Sequence, residues 1–112
     1  KLLTINIDDK IADAVSILSK YNISQIPVKK GNEFVGALND SHVFTKLIAD
    51  DKLKQESVEK VMQKPFPFVN MNTTIEEVSK LITKENNAVL VKDRLGEVHI
   101  ITKHDIIESI SR

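Results

Sequence analysis

Thr102, Lys103, His104 and Asp105 are consecutive residues ahead of an apolar helical run. They bring a hydroxyl, an amine, an imidazole and a carboxylate to one place. A carboxylate accepts two hydrogen bonds at once and so suits a pair of vicinal hydroxyls. A hydroxyl beside the free N–H groups of a helix N-terminus suits an anion, and Lys103 adds positive charge there. The same spacing has a purely structural use. Threonine with an acidic residue three positions on is a capping box, and an aspartate near a helix N-terminus is stabilising by about 0.3–1 kcal/mol with no ligand at all.

Other chemistries find less in the chain. His99 and His104 offer a pair of imidazoles, but no third histidine or cysteine stands at a matching spacing for a metal. Among three glycines there is no Gly-x-Gly-x-x-Gly or phosphate-binding loop. No serine has a triad context, no lysine stands where a Schiff base would be marked, and there is no cysteine nucleophile. No catalytic and no metal-binding residue is expected, so catalytic chemistry, if any, belongs to a domain outside this chain.

The elements that must position Thr102 and Asp105 are written twice. Asn6 aligns with Asn70 and Ile11 with Ile75, 64 residues on; Ile26-Pro27-Val28-Lys29 aligns with Val89-Leu90-Val91-Lys92, 63 residues on. Each half reads strand, helix, strand, strand, helix. In the first, Leu3 to Ile7 is a short strand, and Ile11, Ala14, Val15 and Leu18 form one face of a helix begun by Asp8 or Asp9. Ile23 to Val28 is a strand whose Pro27 suggests an edge or a strand start. Gly31-Asn32 turns it into Phe34 to Leu38, and Val43, Phe44, Leu47 and Ile48 mark a second helix. In the second half Phe66 to Met71 is extended. Thr73 or Thr74 opens a helix with the stripe Ile75, Val78, Leu81 and Ile82. Asn87 to Lys92 is a strand buried on both faces, and Arg94-Leu95-Gly96 turns into Val98 to Ile101. Ile106, Ile107 and Ile110 line the last helix. The fold class is α/β (α+β), with repeat 1 over 1–49, a charged linker with a short helix near Val58 to Met62 over 50–64, and repeat 2 over 65–112.

Composition excludes several classes of function. The chain has 112 residues, 41% hydrophobic and 29% charged, as in an ordinary soluble domain. Sixteen Lys and Arg balance sixteen Asp and Glu, so no charge excess points to nucleic acid or an anionic membrane. No apolar run approaches the roughly 20 residues that span a bilayer, and no signal-peptide pattern precedes the first strand. The absence of cysteine fits a reducing, cytoplasmic compartment. The abrupt start at Lys1 reads as a piece excised from something longer.

The doubled β-α-β-β-α order resembles a CBS-domain pair, or Bateman module. The resemblance is carried by Ile23-Ser24-Gln25-Ile26-Pro27-Val28, Val35-Gly36-Ala37-Leu38, Val61-Met62 and Ile100-Ile101-Thr102-Lys103-His104-Asp105. Within that family the chain is most similar to the C-terminal regulatory tail of cystathionine β-synthase and like pyridoxal-phosphate enzymes. Val58 to Met62 leading to Pro65-Phe66-Pro67, then Glu85-Asn86-Asn87-Ala88-Val89-Leu90-Val91, carry that narrower likeness.

The resemblance implies a regulatory sensor that binds adenosine-containing ligands in clefts between its repeats and stacks as a homodimer beside the catalytic domain of its parent. It implies that Thr102, Lys103, His104 and Asp105 hold a ribose and its phosphate or sulfonium arm. Leu3, Thr4, Ile23, Gln25, Ile26 and Pro27 would close over the base, with Ile100 as a wall. For Ile23, Ile26 and Ile100 taken singly, plain core packing is the better account, and Thr is also simply a good strand residue at position 4. At the equivalent cleft Asn39 and His42 replace Thr102 and Asp105. His42 has no carboxylate to offer, so one working and one degenerate site are expected. His99 replaces the glycine present as Gly36 and would narrow the approach to Thr102. AMP, ADP, ATP and S-adenosylmethionine remain open as ligands: Lys103 suits a phosphate, and Asp8 and Asp9 would suit a sulfonium arm. The alternative is a dimerisation and scaffolding module, of another enzyme or a transporter, that binds no ligand.

Overall fold

Asn6 and Asn70, matched by the repeat, build the same turn twice. The Asn6 side-chain oxygen accepts from the Asp8 N–H at 2.9 Å, and that of Asn70 accepts from the Asn72 N–H at 2.8 Å. Three residues on, Asp9 and Thr73 accept from the Asn6 and Asn70 N–H groups in turn. These side-chain turns lead the chain from a short strand into a helix in both halves.

The computed structural model describes residues 2–84 and 86–111. Lys1, Glu85 and Arg112 lie outside the described residues, and with them the Glu85 of the likeness to the synthase tail. Two units form, Leu3–Pro65 and a second made by 66–111 with Leu2.

The first unit runs β1 (Ile5–Asn6), α1 (Ile11–Tyr21), β2 (Gln25–Lys30), β3 (Glu33–Asn39) and α2 (Asp40–Ala49), followed by 3₁₀ turns at Asp51–Gln55 and Val58–Lys60. β2 is the central strand, parallel to β1 and antiparallel to β3. Ile5, Ile7, Ile11, Ala14, Ile26, Val28, Leu38 and Val43 form its core, joined by Val58 and Val61 from the charged stretch. That stretch is also tied down by its backbone. Val58 N–H donates to Asp9 O, Ile11 N–H to Glu56 O, and Ala37 and Gln63 exchange both of their hydrogen bonds.

Pro27 therefore lies inside a central strand, neither at an edge nor at the strand's first residue, the two positions expected of it. It faces Ala37, whose N–H and C=O are both taken by Gln63 on the far side of β3, and β1 pairs only from Val28 onward. A missing donor costs nothing at that position. The helix start also differs from expectation. Asp9 is used in the turn, and the cap of α1 is Lys10, whose N–H donates to Asp13.

The second unit repeats the order with β4 (Phe68–Val69), α3 (Ile75–Leu81), β5 (Ala88–Lys92), β6 (Val98–Thr102) and α4 (Lys103–Ile110). β5 is central, parallel to β4 and antiparallel to β6. Ala88, Val89, Leu90 and Val91 are all buried, as expected for a strand covered on both faces. The stripe on α3 is narrower than its spacing predicts. Val78 alone is buried, while Ile75 and Leu81 are exposed. Ile107 and Ile110 on α4 are likewise exposed, at 52% and 71%.

Candidate ligand-binding site

Thr102 ends β6 and Asp105 lies in the first turn of α4, so the strand-to-helix junction brings them together. The Asp105 Oδ2 accepts from Thr102 N–H at 2.8 Å and from its hydroxyl at 3.0 Å, and Asp105 N–H donates to Thr102 Oγ1 at 3.3 Å. This is the full capping box. It uses one carboxylate oxygen; among the described residues no hydrogen bond falls on Oδ1, and Asp105 is exposed. An ionised carboxylate has about four acceptor sites, so the cap leaves capacity for donors outside the chain. The structural and the ligand-binding uses of Asp105 are compatible.

Lys103 N–H donates to Asn87 O at 3.2 Å, and its side chain is exposed. His104 sits 3.9 Å from Glu108 one helical turn on, with its ring largely in solvent. Ile100 is half-buried in β6 opposite Leu90. In the first unit Leu3 and Thr4 are half-buried ahead of β1, and Gln25, Ile26 and Pro27 pair with Asn39, Leu38 and Ala37. Ile23 lines a groove between α1 and α2. Ile26 and Pro27 are fully buried.

The equivalent junction in the first unit carries a simpler cap. Asn39 Oδ1 accepts from Ser41 N–H at 2.9 Å and His42 N–H at 3.3 Å. His42 occupies the position of Asp105, without a carboxylate to return.

His99 does not crowd Thr102. Alternation along β6 puts the two side chains on opposite faces, three residues or about 10 Å apart, and the His99 ring donates to Asp93 Oδ2 at 2.8 Å. Asp93 Oδ1 accepts from the N–H groups of Leu95 and Glu97, closing the turn between β5 and β6. The bond from His99, then that from the Glu97 N–H, holds the Asp93 carboxyl below the usual aspartate range. Asp93, Glu97 and His99 place one ligand-type atom each within 4.8 Å of one another. Sequence reasoning missed this group because it sought histidines and cysteines. The hydrogen bonds of the turn account for its geometry.

In the first unit Gly36 stands where the second has His99. A Cβ on Gly36 would lie 2.5 Å from Met62 Sδ and 3.1 Å from Gln63 O. Glycine there admits the segment that pairs with β3.

The model of the CBS domain matches residues 1–49 and 58–112. The chain belongs to the CBS-domain family. It is a CBS pair, two repeats each with a three-stranded sheet and helices. It is 25% identical over 107 residues to the CBS domain-containing protein YhcV of Bacillus subtilis, covering 95% of this chain and 76% of that one. A CBS-domain protein from Burkholderia ambifaria has the same fold, with TM-score 0.85 at 20% identity, covering 98% of this chain and 82% of its own. The CBS domain of a bacterial CNNM/CorC family Mg2+ transporter, solved in complex with ATP, gives TM-score 0.78 at 20% identity and covers 99% and 80% of the two chains.

Proposed function

We propose that this CBS pair is a regulatory module that senses an adenosine-containing ligand rather than a catalyst. The observation that carries the reading is the junction at Thr102 and Asp105. A carboxylate with one unused oxygen stands in the exposed first turn of α4, beside Lys103. Asp105 accepts from the ribose hydroxyls, and Thr102, Lys103 and His104 face the phosphate or sulfonium arm. Ile100 walls the base, with Leu3, Thr4 and Gln25 contributing from the first repeat; Ile26 and Pro27, fully buried, back them from beneath, and Ile23 lies at the groove between α1 and α2. Asn39 and His42 mark the degenerate site.

AMP, ADP, ATP and S-adenosylmethionine are the candidates. ATP in the related transporter domain supports a nucleotide. Asp9, whose carboxylate is held by the Asn6 N–H, is less free to meet a sulfonium arm than its charge alone suggested. In this reading repeats 1–49 and 65–112 are joined by 50–64, and the module works in the cytoplasm. It pairs as a homodimer and adjusts a catalytic partner of the cystathionine β-synthase type, to which its tail-like segments are similar. The ligand shifts that partner only by its differential affinity for two arrangements.

Thermal unfolding against the four ligands tests the proposal. A ligand at about 100 times its Kd stabilises by about 2.7 kcal/mol, a shift of roughly ten degrees for a chain of this size. A shift with one ligand supports the sensor. No shift with any of the four leaves the scaffolding module, which the His42 replacement favours at the first repeat.

A further inference from the structure

Asp93, Glu97 and His99 gather at the turn between β5 and β6, and the backbone explains how. Val91 pairs with His99 and Lys92 with Val98, and the bond from Asp93 N–H to Glu97 O at 2.8 Å carries the pairing one residue further. Side chains two apart on a strand share a face, so Glu97 and His99 lie on one side, with Asp93 opposite Glu97 and diagonal to His99. One ligand-type atom from each lies within 4.8 Å of the others. The Asp93 carboxylate is held through both oxygens. Oδ1 accepts from the Leu95 and Glu97 N–H groups at 2.9 Å, and Oδ2 meets His99 Nε2 at 2.8 Å. Carboxylates that bind metals are oriented by outer hydrogen bonds of this kind. The fold does not require these three residue types. Their counterparts 63 residues earlier are Lys30, Phe34 and Gly36, with neither imidazole nor carboxylate, and that hairpin forms all the same.

We propose that Asp93 Oδ2, the Glu97 carboxylate and His99 Nε2 form a binding site for a divalent first-row cation of the Zn2+ type. An imidazole with two carboxylates is a donor set for that class, whereas Mg2+ and Ca2+ take oxygen ligands. Two carboxylates also bring the charge that a dication neutralises. Donors about 2.0–2.2 Å from a tetrahedral zinc stand roughly 3.3 Å from one another. The Asp93–His99 pair therefore opens slightly, and the exposed Glu97 side chain closes in. Nε2 gives up its hydrogen bond to the metal, and the ring carries its proton on Nδ1 instead. Three protein donors leave a fourth position for water. The site lies on the face of β6 away from Thr102 and does not depend on the sensor reading.

Titration of the chain with zinc chloride tests this, followed by calorimetry and by long-range 1H–15N spectra of its imidazoles. One Zn2+ should bind per chain, and His99 should pass from the Nε2–H to the Nδ1–H form while His42 and His104 keep their signals. Mg2+ should leave His99 unmoved. Glu97→Gln keeps the backbone bonds of the turn and should weaken zinc binding about tenfold or more, and His99→Gly should abolish it. His99 signals that stay unmoved in excess Zn2+, or zinc that follows His42 or His104, would overturn the site. So would equal affinity in Glu97→Gln, which leaves a lone surface imidazole collecting an adventitious ion.

Discussion

In the proposed sensor Asp105 serves two purposes, a cap through Oδ2 and a ligand contact through Oδ1, and its replacement separates them. Asp105→Ala removes the return bond of the capping box, which costs about 1 kcal/mol or less in denaturant unfolding. In the proposed sensor it also abolishes the ligand-induced thermal shift. Loss of stability with the shift retained would place the ligand elsewhere. Gly36 is constrained by space and not by backbone angle. Gly36→Ala forces a Cβ against Met62 and the Gln63 carbonyl, and should destabilise by about 1–3 kcal/mol in urea unfolding. Asp93 carries a pH signature. Its pKa is lower in the folded chain than in the unfolded one, so its bonds add stability above the ordinary aspartate value of about 3.9, and that contribution disappears as pH falls through the folded value. The melting difference between wild type and Asp93→Asn should therefore be full at neutral pH and shrink in acid.

At the scale of elements, the stretch after α2 illustrates how composition misleads. Between Asp50 and Lys60 the sequence is charged and reads as a connector, yet Val58 is fully buried and its N–H is bonded to Asp9 O. Two spaced valines in a polar run give no periodic signal, and only packing shows where they go. Val58→Ala deletes two buried methyl groups and should cost about 2 kcal/mol. A fragment ending at Ala49 should be markedly less stable than one ending at Pro65, which limited proteolysis of the two fragments would show. The capping boxes were legible because their residues are adjacent in the chain: Thr74 with Glu77 and Thr102 with Asp105 form as their spacing requires. The role of Pro27 was not legible, since it depends on Gln63 turning Ala37 away from β2.

At the scale of the molecule, charge balance has a direct consequence. Equal numbers of acidic and basic residues and a pI near 7.0 leave little net repulsion between copies at neutral pH. If the chain pairs as proposed, its association should therefore be strongest near pH 7 at low salt and weaken as pH moves either way, measured by light scattering. Insensitivity to both pH and salt would show that charge has no part in it. No helix among the described residues is long and apolar enough to cross a membrane.

The sequence by itself determined the repeat, the order of elements in each half, the family and the caps of α3 and α4. These depend on periodicity and on neighbours within a few residues, where local backbone chemistry dominates. Tertiary structure decided which apolar residues are covered, why a proline sits in a central strand, and that His99 turns to Asp93 and away from Thr102. Those outcomes depend on which groups from distant parts of the chain compete for the same space and the same hydrogen bonds, and spacing along a chain does not encode that competition locally.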